Sequence, residues 1–253
     1  MKLQTLLRDA LFVNWALPCD KLPELPAPLR YQRHREGKDD RVLASVLLSR
    51  QMGLQFSLPF FRLSYPQLHL RFSVFDAQGD PAFYVASLLV PAWVAPATAM
   101  LARQRSMGAR FRFPATARLR SDERWRWSVR NGSAFEVEGR FGAPTATDLG
   151  GWDDTVAYVM ERPRSYIPVG HRLRRIDSEP VQIEPRPITA EILDLSLLVA
   201  LEEAFDGTPV HSAWLCPSLP MVFELGAVPT PKLRTALPQT APSSRSRLSS
   251  QGG

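Results

Sequence analysis

The sequence predicts a mainly β protein of the α+β class, built from antiparallel strands with a few short helices. Two features predict it. The chain has 23 prolines against 14 glycines, and many of the prolines separate short apolar runs, a punctuation that favours strands and turns over a helix bundle. From residue 109 onward apolar and polar residues alternate through ARFRFPATARLR, ERWRWSVRN and GSAFEVEGRF. Trp125, Trp127 and Val129 fall on one face of that meander, with Arg124, Arg126, Ser128 and Arg130 on the other.

Taken in order, residues 10–17 (ALFVNWAL) read as a strand and 19–25 as a single helical turn ended by prolines. Residues 41–51 (RVLASVLLSRQ) form a strand after the charged turn EGKDD. Residues 65–91 hold two strands around DAQGD, whose Asp, Gly and Pro supply turn chemistry. A helix is expected over 91–105 (PAWVAPATAMLARQR), with the arginine meander after it, turned at Ser121–Asp122 and Asn131–Gly132. Glu136 and Glu138 on its last strand are placed to pair with the arginines across the sheet. Then come a helix over 153–161, with acids at its start as the dipole prefers, and a hairpin around Gly170-His171. The spacing of ILDLSLLVALEEAF predicts a helix over 192–205, followed by strands over 210–216 and 221–225.

The bulk numbers narrow the function. The net charge is +6, but Lys232, Arg234, Arg245 and Arg247 lie in an acid-free stretch, 227–253, and leave about +2 for the rest. That stretch is rich in Pro, Ser, Thr and Gln and is expected to be a disordered basic tail on a single domain of residues 1–226. No specific nucleic-acid partner follows from such a distribution. Cys19 and Cys216 have no metal-type spacing and are expected as free thiols in a reducing cytoplasm. In MKLQTLLRDALFVNWALPC, Arg8 and Asp9 interrupt the apolar run and Pro18 precedes the cysteine, which argues against a secretion signal. Residues 81–102 lack charge, but Pro91 and Pro96 divide them, so a strand and a helix are expected rather than a membrane span.

Nucleotide loops and the nucleophile elbow are missing, and His34, His69, His171 and His211 have no ligand spacing, so no cofactor or metal is expected.

The order LFVNWALPCDKLPELP, PQLHLRFSVFDAQGDPAFYVASL, an arginine-rich meander and AYVMERPRSY resembles a bacterial family, domain of unknown function 2071, over roughly residues 8–226. That family is placed in the acetoacetate-decarboxylase-like superfamily. The chain departs from it at His69, where the family usually has Asn, at Pro163, where Tyr commonly follows Glu-Arg, and at DSEP, where a histidine is expected. The resemblance implies an antiparallel, cone-shaped β-barrel with helices outside and a cavity within. Leu68, Leu70, Phe72 and Val74 would then share one strand face, and His69, Arg71 and Ser73 would point into the cavity. Tyr84, Glu161 and Arg103 are the other expected wall residues. Arg71 has two readings: it pairs with a buried Glu161, or it is held for a carboxylate ligand.

Superfamily decarboxylation needs a lysine that forms a Schiff base. This chain has only Lys2, Lys21, Lys38 and Lys232, and the segment where the family's lysine pair would fall reads LARQRSMG, with Arg103 and Arg105. Arginine stays protonated and forms no imine. The sequence therefore points to a small-molecule-binding barrel for a carboxylate or apolar metabolite, without Schiff-base chemistry. The alternative is a lysine-independent enzyme with an Arg71 clamp and His69 or Glu161 as general base.

Overall fold

A computed structural model describes residues 2–36, 38–55, 62–101, 106–114, 123–144, 149–179 and 183–226. Among these, thirteen strands dominate: β1 Lys2–Pro18, β2 Arg30–Tyr31, β3 Arg33–Glu36, β4 Asp39–Gln55, β5 Arg62–Phe75, β6 Pro81–Pro91, β7 Met107–Arg112, β8 Trp125–Asn131, β9 Ser133–Phe141, β10 Arg164–Val169, β11 Arg172–Ser178, β12 Arg186–Asp194 and β13 Ser212–Leu225. Helices are few and short: α1 Ala95–Leu101, α2 Trp152–Met160 and α3 Glu202–Phe205. No helix of the described residues is long and apolar enough to cross a membrane.

The strands pair in the order β11-β10-β6-β7-β8-β9-β12-β13-β1-β4-β5-β2, with β3 against β4 and further pairings of β5 with β6 and β11 with β13. Two closed circuits result, and they share β13-β1-β4-β5-β6. The split occurs at the ends of the two outer shared strands. Phe83 and Tyr84 at the start of β6 pair with β10, while Leu89 to Pro91 at its end pair with β7. Trp214 and Leu215 near the start of β13 pair with β12, while Phe223 to Leu225 pair with β11.

The shared strands are covered on both faces, which explains the near-continuous apolar run in β4. One face is filled by the largest core cluster, where Val46, Leu48, Leu68, Leu70 and Phe72 meet Trp15, Trp127 and Phe135. The other face carries Leu43, Leu47, Phe12 and Phe83 under Val156 and Val159 of α2. Side-chain alternation along β5 therefore sends Leu68 and Leu70 to the filled side and His69 and Arg71 to the opposite side.

Several elements differ from the sequence expectation. Pairing is mixed, because β6–β7 and β6–β10 are parallel. The expected helix over 192–205 is instead the end of β12, a 3-10 turn at Ser196–Leu201 and one turn of α3. Ile192 lies opposite Val137 of β9, so cross-strand burial wins over helical periodicity in a short apolar run. The two final strands are one continuous β13 through Pro217 and Pro220. The helix expected from Pro91 begins only at Ala95, since Pro91 still pairs with Ala109. The Ser121–Asp122 turn and the 227–253 tail lie outside the described residues.

The arginine meander is paired as its charges suggest. Arg124 meets Glu138 at 3.0 Å, and Arg126, Ser128 and Arg130 all donate to Glu136. The Arg126 hydrogen bond, then those of Arg130 and Ser128, hold the Glu136 carboxyl down at about 2. A depressed folded value stabilises the protein above the unfolded carboxylate pKa and is lost as pH falls through the folded one. Acid titration of Glu136→Gln is therefore expected to show a smaller loss of stability than the parent between about pH 4.5 and 2, and an unchanged slope would refute the assignment.

Candidate functional site

His69 and Arg71 sit on β5 beside an irregularity in β6. Leu70 lies opposite Ser87 and Arg71 opposite Val85, so Ala86 is an extra residue on β6. Such a bulge re-aims neighbouring side chains and increases local twist. The Arg71 guanidinium stands 4.1 Å from the Phe83 ring centroid and 5.1 Å from that of Phe12. Its Nε and Nη2 are sealed from solvent and have no hydrogen-bond partner, and the same holds for His69 Nε2. No carboxylate forms an ion pair with Arg71 among the described residues.

The electrostatics follow from that packing. Burial, then the charge of Arg71, pushes the His69 imidazole down to about 3, so the ring is neutral at physiological pH. Burial, then repulsion by Arg162, lowers the Arg71 guanidinium to about 9, which still leaves it a cation. Arg162 is itself buried, with its Nε donating to Tyr158 O at 2.7 Å and its Nη1 to Gln32 Oε1. It stands over the Phe83 ring as well, at 5.3 Å. One phenyl ring thus accompanies two guanidinium groups.

Two cavities meet at Arg71. The inner one, of about 170 Å³, lies against Leu3, Leu54, Leu63, Leu88, Phe223 and Leu225, with His69 and Arg71 at one side. The outer one, of about 670 Å³, lies between the sheet and α2 and includes Phe12, Phe83, Glu161 and Arg162. Leu7, Leu47, Arg71, Ser165, Ser178 and Met221 line both.

The structure brings His69 and Arg71 together on a cavity wall and separates them from other residues expected there. Ser73 is buried and lines neither cavity, and Tyr84 packs on the main core. Glu161 terminates α2 with its side chain exposed, on the rim of the outer cavity. The reading of Arg71 as the partner of a buried Glu161 is thereby corrected: helix α2 ends so that Arg162, the next residue, turns inward. Arg103 lies outside the described residues. Sequence reasoning missed Phe12, Phe83 and Arg162. The signal for Arg162 was present in the same MERP stretch, where glutamate drew the attention and arginine took the buried place.

The described lysines are remote from this chemistry. Lys2 pairs with Glu179 at 2.6 Å, Lys21 donates to Glu203 O, and Lys38 is exposed in a turn. None of them lines either cavity, and Lys232 lies outside the described residues. Among the described residues no group of three or more His, Cys, Asp or Glu side chains is placed to hold a metal ion.

The chain is mainly β, and its two cavities share six lining residues, Arg71 among them. The chain belongs to the family called domain of unknown function 2071, described as an uncharacterized conserved protein, whose profile matches residues 4–220. No curated protein sequence matches it. Its fold is similar to that of an acetoacetate decarboxylase-like enzyme from Sphingomonas wittichii RW1, with 16% identity, 89% of this chain and 91% of that chain covered, and a TM-score of 0.55. It is also similar to the enduracididine biosynthesis enzyme MppR, at 13% identity, 90% and 88% coverage and a TM-score of 0.56. A third similar structure is the acetoacetate decarboxylase of Legionella pneumophila, at 10% identity, 91% and 88% coverage and a TM-score of 0.55. At these identities the likeness concerns the fold.

Proposed function

We propose that the protein binds a small carboxylate-bearing molecule, with Arg71 as the group that receives the carboxylate. The observation that carries this reading is a cation whose Nε and Nη2 have neither solvent nor partner, at the junction of two cavities. An unmet guanidinium is costly in the empty protein, and a bidentate carboxylate is the ligand that its planar fork matches. On this reading the strand circuit through β10 and β11 forms the wall of a cone-shaped barrel, with the ligand inside it.

Binding is favoured over the enzymatic alternative by the state of the two candidate bases. A His69 held near 3 is a weak proton acceptor, and Glu161 faces solvent at the cavity rim. Among the described residues no lysine lines either cavity to serve Schiff-base chemistry. Two measurements test these points. Thermal denaturation with millimolar benzoate should raise the melting temperature of the parent protein and leave that of Arg71→Met unmoved; equal shifts in both would remove Arg71 from the site. Incubation with acetoacetate and borohydride should leave the intact mass unchanged, whereas a stoichiometric adduct on any lysine would overturn the exclusion of imine chemistry.

A further inference from the structure

We infer that the ligand is an amphiphilic monocarboxylate with an apolar part of about six heavy atoms, and that this part fills the inner cavity. The inference rests on the carboxylate reading of Arg71 and adds the chemistry and size of the rest of the molecule.

The inner cavity has a largely apolar wall with a minority of polar groups. Several of its polar wall groups are already engaged within the wall: Thr5 Oγ1 donates to Met52 O, Gln67 Nε2 to Ser49 Oγ, and Thr98 Oγ1 to Ala95 O. The lining groups left buried and unpartnered are Arg71 Nε and Nη2 and His69 Nε2. They belong to residues two apart on one face of β5, and both residues line this cavity. Neutral His69 suits a carboxylate ligand, because its imidazole can donate one N–H without adding a second buried charge. The greater part of the wall is apolar, with Leu3, Leu54, Leu63, Leu88, Phe223 and Leu225 prominent in it.

Volume sets the size. The inner cavity measures about 170 Å³. An apolar engineered cavity of about 150 Å³ stays dry and accepts benzene, six carbon atoms. A phenyl ring or a chain of about six carbons therefore fits, and a longer tail has to turn back into the outer cavity. Pyruvate-sized acids reach the cation and leave most of the apolar wall empty.

The test is calorimetric titration of the full chain with acetate, butyrate, heptanoate, benzoate and dodecanoate. Affinity is expected to rise about fourfold per added methylene up to heptanoate, on the order of 10³-fold over acetate, and then to level off or fall at dodecanoate. Benzoate is expected near heptanoate. An uninterrupted rise through dodecanoate would place the tail elsewhere, and a series that is flat from acetate onward would show that the apolar wall is unused; each overturns the inference while the carboxylate reading survives. Absence of binding by every acid would instead overturn the carboxylate reading. Filling the cavity by Leu88→Phe should abolish the advantage of heptanoate over acetate. If that variant fails to fold, Ala97→Leu on α1, at another part of the lining, makes the same test, and retention of the full chain-length gain in a folded variant refutes the placement.

Discussion

Replacing Arg71 by methionine should leave the empty protein folded and abolish high-affinity carboxylate binding. Methionine keeps the apolar stem among Phe12, Phe83 and Val85 and removes a cation that pairs with no acid among the described residues. Relief of two unsatisfied donors favours the variant by about 1–3 kcal/mol each, and lost contacts with two aromatic faces oppose it by about 0.5–2 kcal/mol each. The two contributions oppose each other and largely offset, so the variant is expected to stay folded, with its stability read from urea midpoints. Carboxylate affinity should fall by about 2–5 kcal/mol, at least 30-fold, because one member of a desolvated charge pair is gone. Glu161→Gln should change neither quantity, and the double variant should be additive. An Arg71→Met protein that unfolds and is rescued by Glu161→Gln would show a structural ion pair and end the proposed role.

The second large effect is expected at Asp76, which closes the β5–β6 turn. Its side chain is fully buried and accepts from Gln78 N at 2.9 Å, Asp80 N at 3.0 Å, Arg164 Nη1 at 3.0 Å and Tyr166 Oη at 3.2 Å. Burial alone would raise its pKa; the hydrogen bonds from Asp80, Gln78, Arg164 and Tyr166 together outweigh it and hold the carboxyl below its ordinary range. The two side-chain donors belong to β10, which pairs with β6 in register only at Ser165 and Tyr166. Asp76→Ala therefore removes the acceptor of the Gln78 and Asp80 amides and of two β10 side chains, and loosens the strand that carries Ser165 and Ile167 into the inner cavity. A loss of about 3 kcal/mol is expected. Asp80→Ala, which removes an exposed carboxylate from the same arginine, should cost less than about 1 kcal/mol. Similar losses in the two variants would show that Asp76 is no lock. The stabilisation from Asp76 is present above the unfolded carboxylate pKa and disappears as pH falls below it.

Much of the strand content was readable locally, because strand alternation has a period of two and needs no partner to be seen. Leu68, Leu70, Phe72 and Val74 declare one buried face of β5, and Trp125, Trp127 and Val129 declare that of β8. Helix α2 was equally legible from its acidic first turn and the apolar Val156 and Val159. The segment 192–205 was misread for a physical reason: a short apolar run fits both periods, and only pairing of Ile192 with Val137 selects the strand.

For the site, the chain alone determined that a histidine and an arginine share one face of a strand whose other face is core. It also determined that the chain carries only four lysines, at positions 2, 21, 38 and 232. Tertiary structure decided what those facts mean. A bulge at Ala86, the parallel contact of β10 with β6 and the inward turn of Arg162 all depend on residues distant in sequence. The partner of a buried cation is settled by which carboxylate can approach it through space. Glu161 was one candidate partner of Arg71, and the end of α2 leaves it in solvent.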